Sequence, residues 1–233
     1  MTDPHRPQPS TRHAVITGAS SGIGATIARQ LLDEGWRVTG LSRTRPDWTD
    51  ARYDHRAVDL LDPAALLPAV EGLLPTAFVH AAGITRAESL GAMQPETGET
   101  LWRLHVDAAA RLADALVPRM AAGGRVVLIG SRTSAGVAGR SYYSATKAAL
   151  ASMARAWAAE LAPRGITVNV VAPGVTDTPM LRDPARAHLK PKAPPIGRYI
   201  APEEVAALAC FLLGPMAGAI TGQQIMICGG ASL

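Results

Sequence analysis

From residue 13 onward, short runs rich in β-branched residues alternate with longer stretches whose apolar positions recur at helical spacing, the pattern of consecutive βαβ units. The alternation predicts strands at 13–17, 37–41, 77–80, 124–130, 167–172 and 224–227. It predicts helices at 22–34, 63–73, 97–120, 142–161 and 202–213, and a further strand candidate closes at Asp59-Leu60. Parallel neighbours need a crossover of a dozen or more residues, which most of these intervals supply. The expected fold class is therefore α/β, a doubly wound parallel sheet flanked by helices on both faces in a single domain. Between Arg43 and Asp59 the text TRPDWTDARYDHRAV is rich in turn formers and has no helical period. The crossover helix there is expected to be lost or cut to one turn.

Composition narrows the class. With 233 residues, 48% hydrophobic and 18% charged, the chain has the size of one compact domain with a sizeable core. Aromatics are only 4%, so that core must be built mainly from Ala, Val, Leu and Ile. The net charge of +4 comes from 20 Arg and 3 Lys that are scattered rather than gathered, which argues against nucleic acid as a partner. Cys210 and Cys228 have no disulfide or metal-ligand spacing, so no metal is expected and a reducing cytoplasm fits. The longest apolar run, 205–220, is shorter than the roughly 20 residues of a membrane span and is broken by Gly214-Pro215. Residues 1–11 are polar, carry three prolines and lack the apolar centre of a secretory signal, so they are expected to form a flexible leader before a domain at 12–233.

Directly after the first strand comes Thr17-Gly18-Ala19-Ser20-Ser21-Gly22-Ile23-Gly24, opening into a helical run. A strand-to-helix turn of this kind lets backbone approach a pyrophosphate without Cβ clashes, while the helix N-terminus supplies free N–H donors. Gly18, Ser20, Ser21, Gly22, Ile23 and Gly24 are thus candidates for dinucleotide binding. At the end of the second strand an acidic residue would bind a ribose 2′-hydroxyl and repel a 2′-phosphate. Here the text is Gly40-Leu41-Ser42-Arg43, with no carboxylate. Arg43, beside Ser42 and helped by Arg45 if the loop folds back, suits a phosphate, so NADP(H) is favoured over NAD(H). Asp59, next to Leu60, would either meet the adenine edge or cap the following helix.

Tyr143-Ser144-Ala145-Thr146-Lys147 opens an Ala-rich helix and places a phenol and an ammonium on one helical face. A phenol with its usual pKa near 10 is a poor proton relay near neutrality unless a cation stabilises the phenolate, and Lys147 is such a cation. Taken together, TGASSGIG, YSATK, NVVAPG and TGQQIMICGG, in this order, resemble the classical short-chain dehydrogenase/reductase family. The resemblance runs from Arg12 to Leu233 and implies a Rossmann-like fold.

It also implies roles. Tyr143 would be the general acid/base and Lys147 would bind the nicotinamide ribose and lower the phenol's pKa. Ser131 would polarise the substrate oxygen, with Thr133 and Ser134 as substitutes. The family's Asn-Asn-Ala-Gly is here His80-Ala81-Ala82-Gly83. Ala81, Ala82 and Gly83 would still pack beside the cofactor, but the amides that brace the sheet are missing. The family's helix Asn, whose backbone carbonyl holds a relay water, falls on His105, with Asp107 next in line. His105 keeps that role if the helix is kinked there, or is simply a packed imidazole. Pro173 and Gly174, followed by Thr176 and Thr178, would hold the nicotinamide carboxamide or pyrophosphate and imply transfer of the 4-pro-S hydride.

The segment 180–198 contains four prolines and two of the three lysines and occupies the place of the family's substrate lid. Its basic residues would meet an acidic substrate tail or keep the lid soluble. Residues 205–233 contain no Asp, Glu, Lys or Arg. Part of that stretch is expected to lie against another subunit, in a homodimer or homotetramer, with Cys228 a buried thiol. The expected function is NADP(H)-dependent interconversion of a ketone and a secondary alcohol, on a small molecule or on a 3-oxoacyl group carried by an acyl carrier. The competing expectation is a dinucleotide-binding sensor or scaffold whose chemistry has lapsed.

Overall fold

A computed structural model describes residues 12–182 and 192–233. The expected leader and the middle of the expected lid lie outside these described residues. Seven parallel strands form one sheet in the order β3-β2-β1-β4-β5-β6-β7. They are β1 (His13–Thr17), β2 (Arg37–Ser42), β3 (Tyr53–Ala57), β4 (Ala77–His80), β5 (Arg125–Ile129), β6 (Thr167–Pro173) and β7 (Gln224–Ile227). All six strands predicted from periodicity are present, and the candidate closing at Asp59-Leu60 is the edge strand β3. Its text, YDHRA, is polar and nowhere fully buried, which is why the apolar pattern marks it weakly.

Successive side chains point to opposite faces of the sheet, and two apolar layers result. Val15, Val126, Leu128, Val168 and Val170 face α2 (Pro63–Val70), α4 (Ala108–Leu116) and α5 (Ser141–Leu161). Ala14, Ile16, Val127, Ile129 and Val171 face α1 (Gly22–Asp33) and α6 (Pro202–Leu213). Between β2 and β3 there is no helix, as the turn-rich text predicts. Trp48 instead folds against Tyr53, ring centroids 4.6 Å apart, and covers the second layer there.

The long helix predicted at 97–120 is a correction. It is divided into α3 (Pro95–Trp102), a π-helical turn at Arg103–Asp107, and α4. A π turn carries one extra residue per turn and marks a local interruption that a 3.6-residue period cannot reveal. The chain reverses its order between β1 and β4, so the crevice at the C-terminal ends of these central strands is where an open α/β sheet binds its ligand.

Candidate active site

A cleft of about 970 Å³ opens at that crevice. Every predicted cofactor residue lines it, as do Ser131, Tyr143 and Lys147. His105 does not; it lies behind the wall, fully buried.

The glycine turn is built by crowding. Gly18 has φ +68°, and a Cβ on it would lie 2.8 Å from Ala82 Cα; one on Gly24 would lie 2.3 Å from the carbonyl oxygen of Gly18. The loop therefore packs on the Ala81-Ala82-Gly83 segment with no room for side chains. Across the mouth, a Cβ on Gly22 (φ +54°) would project to 3.5 Å from Thr178, so glycine there keeps the gap over the α1 N-terminus open. Ser21 makes no side-chain cap and the first turn of α1 has no acidic residue, which leaves its N–H groups and the positive end of the helix to an anion. These residues fit a dinucleotide pyrophosphate.

At the adenosine end, the Ser42 hydroxyl donates to the Thr44 carbonyl at 2.9 Å. Arg43 is exposed on the rim and forms no ion pair among the described residues. Arg45 does not line the cleft; its charge bears on Tyr53, whose phenol burial pushes up to about 12. Asp59 is not the cap of α2, since that role belongs to Asp62, which accepts from Ala64 N–H at 3.0 Å. Asp59 accepts instead from Leu61 N–H at 3.0 Å and lines the cleft.

At the opposite end, α5 presents Tyr143 and Lys147 one turn apart. The Lys147 ammonium lies 5.8 Å from the Tyr143 ring centroid and donates to the carbonyl of Ile129 at 2.9 Å. Only 4% exposed, it is pushed by burial down to about 7. Ser131, at the end of β5, accepts from Thr133 N–H at 3.2 Å and shares a 3.0 Å hydrogen bond with the Thr133 hydroxyl. Ser134 faces away, accepting from Gln224 at 2.8 Å, which removes it as a substitute for Ser131; Thr133 lines the cleft beside Ser131.

Two histidines brace this end. Leu104 O can only accept, so His80 donates to it from Nε2 (3.2 Å), and Nδ1 accepts the Thr17 hydroxyl (3.0 Å). Thr17 Oγ1 in turn accepts from Ala81 and Ala82 N–H, each at 3.1 Å. The brace expected to be lost with the two Asn is therefore present, made by an imidazole and a threonine. His105 is arranged oppositely. Ile84 N–H donates to its Nε2 at 3.1 Å, so Nδ1 carries the proton and donates to Thr146 Oγ1 at 2.9 Å. That hydroxyl donates to the carbonyl of Tyr143 at 2.9 Å. The His105 ring also meets the Tyr143 ring edge-on, centroids 5.7 Å apart. The helix is interrupted at His105 by the π turn. Burial, and the Lys147 charge after it, hold both imidazoles neutral, His80 down to about 3. Thr17 and Thr146 belong to the TGASSGIG and YSATK motifs, but nothing in the sequence shows that their hydroxyls hold His80 and His105.

At the end of β6, Thr176 lines the cleft while its hydroxyl donates to Gly174 O at 3.2 Å. Gly174 packs so closely on Cys228 that a Cβ would lie 2.9 Å from its Cα, and Cys228 is buried.

A profile described as Enoyl-(Acyl carrier protein) reductase matches residues 18–232. The 3-oxoacyl-[acyl-carrier-protein] reductase FabG of Salmonella typhimurium is 33% identical, with 93% of this chain and 96% of that one covered. The chain is a classical short-chain dehydrogenase/reductase. It is thereby an oxidoreductase. Another short-chain reductase, NovJ of Streptomyces niveus, is 32% identical over 93% of this chain and 92% of its own. Among solved structures, a blue fluorescent protein from a metagenomic library, in complex with NADPH, superposes with TM-score 0.85 at 30% identity, covering 95% of this chain and 98% of that one. Among the described residues of this short-chain dehydrogenase/reductase, no helix is long and apolar enough to cross a membrane, and no group of three or more His, Cys, Asp or Glu is placed to hold a metal.

Proposed function

We propose that the protein is an NADP(H)-dependent reductase that converts a ketone, or a 3-oxoacyl group, to a secondary alcohol, and catalyses the reverse oxidation. The observation that carries this reading is that Ser131, Tyr143 and Lys147 line the same cleft as the glycine turn and Arg43. The NADPH of one solved relative and the 3-oxoacyl substrate named for FabG support it. A bound reduced nicotinamide supplies a hydride. Ser131 and Tyr143 hydrogen-bond the carbonyl oxygen, and Tyr143 gives it a proton as charge develops. Lys147 stabilises the phenolate that remains and holds the ribose hydroxyls. Pro173, Gly174, Thr176 and Thr178 orient the carboxamide end. His105 acts through Thr146 on the main chain of Tyr143.

The assembly belongs to the same proposal. Phe211 and Met226 are exposed, as is Met216 at 84%, in the stretch without charged side chains. They suit burial against a second copy in a homodimer or homotetramer, which light scattering measures.

The test is loss of reduced-nicotinamide absorbance with a panel of ketones and 3-oxoacyl thioesters. Turnover that falls by about a thousandfold or more in Tyr143→Phe, with NADPH affinity retained, is the expected result. NADPH binding without turnover across the panel assigns the sensor reading instead.

A further inference from the structure

Beyond Tyr143 the cleft changes character. Its substrate end is bordered by Arg86, Arg132, Arg140 and Lys192, while among the described residues the one acidic residue lining the cleft, Asp59, lies at the opposite end. Arg86 and Arg140 also border, together with Tyr143, a small recess that adjoins the cleft. Their approach is fixed by backbone: Glu88 N–H donates to the carbonyl of Gly139 at 2.8 Å, and Glu88 and Arg140 pair as an isolated bridge. Glu88 borders the recess too, and its carboxylate accepts from Gln94 N–H at 3.0 Å. Among the described residues, neither Arg86 nor Arg140 has a carboxylate within ion-pair distance, although Arg86 donates to its neighbour's carbonyl, Thr85 O. Arg132 is anchored on Ala231 O at 3.3 Å. Arginines that line a cleft and have no ion-pair partner among the described residues suit planar or tetrahedral anionic oxygens.

We propose that Arg86 and Arg140 form an anion subsite beside Tyr143, so that the natural substrate is a ketone bearing a carboxylate or phosphate within a few bonds of its carbonyl carbon. This rests on the reductase reading above and narrows it. An anion on a long carrier arm would lie too far from the reacting oxygen to meet arginines that line the cleft together with Tyr143. The two guanidinium groups clamp the charged end, and that clamp fixes which carbonyl lies under Tyr143 and Ser131.

The experiment uses the full chain loaded with NADPH and two matched pairs of ketones. One pair is 3-oxobutanoate and its methyl ester; the other is dihydroxyacetone phosphate and dihydroxyacetone. Binding is measured by calorimetric titration and turnover in parallel. At least one charged member is expected to bind about tenfold or more tightly than its neutral partner, the preference shrinking as salt rises. Which pair shows it separates carboxylate from phosphate. Arg86→Gln, a change at an exposed side chain, and Arg140→Gln are each expected to reduce the preference to about threefold or less with NADPH affinity unchanged. Equal or undetectable binding of both members of both pairs, or a preference that survives both substitutions, overturns the subsite. Turnover decides the other question. Neutral ketones reduced as efficiently as charged ones keep the reductase and discard the subsite, whereas charge-selective binding without turnover keeps the subsite and discards the reductase.

Discussion

His105 and Thr146 stand on different helices, yet a 2.9 Å hydrogen bond from the imidazole Nδ1 to the threonine hydroxyl joins them, and the same hydroxyl holds the main chain of Tyr143. The general acid/base proposed here is thus positioned by a chain of donors that begins at Ile84 N–H. His105→Ala removes a fully buried imidazole and leaves that part-buried N–H without its acceptor, which should cost about 1–3 kcal/mol of stability. Because His105 touches neither cleft nor ligand, the expected kinetic signature is a fall in kcat of about tenfold or more with the KM for NADPH little changed. Thermal denaturation and steady-state kinetics on the same preparation measure both.

Lys147 gives a pH dependence. Burial lowers its ammonium to about 7, so in the free protein the cation that would stabilise the Tyr143 phenolate is lost as pH rises through that value. The pH profile of kcat/KM for NADPH reports ionisations of the free enzyme. It should decline above about pH 7, and Lys147→Arg, which remains charged, should remove that decline in whatever activity it retains.

Acid should destabilise the fold well before its carboxylates are protonated. His80 is held down to about 3 and His13, buried on Thr39, to about 4, both chiefly by burial. With these depressed values, the unfolded chain takes up protons below about 6.5 that the folded chain refuses. Stability is therefore full above that pH and falls between about 6.5 and 4, by roughly 1.4 kcal/mol per pH unit for each imidazole. Urea unfolding across this range measures the slope, and His13→Gln should make it shallower.

Arg43 governs the choice of dinucleotide in this reading. It is exposed at the rim of the cleft without an ion-pair partner among the described residues, so changing it should leave the fold intact. Arg43→Asp is expected to shift the ratio of kcat/KM values from NADPH toward NADH by about tenfold or more. An unchanged ratio removes Arg43 from the site.

The sheet was legible because its central strands are buried on both faces and read as continuous apolar runs, 13–17 and 167–172 among them. Strand β3 lies at the edge with one neighbour, and its residues YDHRA answer to solvent as much as to a core. Gly18, Gly22 and Gly24 were legible as a turn because glycine there answers a local need for backbone approach. The brace at His80 was not, because the sequence shows an Asn replaced and not the Thr17 hydroxyl, 63 residues away, that makes the replacement work. The substrate-end arginines were likewise hidden: Arg86 and Arg140 are 54 positions apart and meet only through the bridge at Glu88.

The π turn at Arg103–Asp107 sets the phase of everything after it. Because it spends about one residue more than an α turn on the same rotation, deleting one residue there would permit an ordinary helix and leave all later side chains in phase. Leu112 and Leu116 would stay inside and Arg111 and Asp114 outside, whereas the same deletion early in α4 would rotate the side chains after it by about 100° and turn those leucines toward water. A single-codon loss is therefore accommodated here and not in α4, and what it would cost is the turn that carries His105 rather than the packing of the helix beyond it.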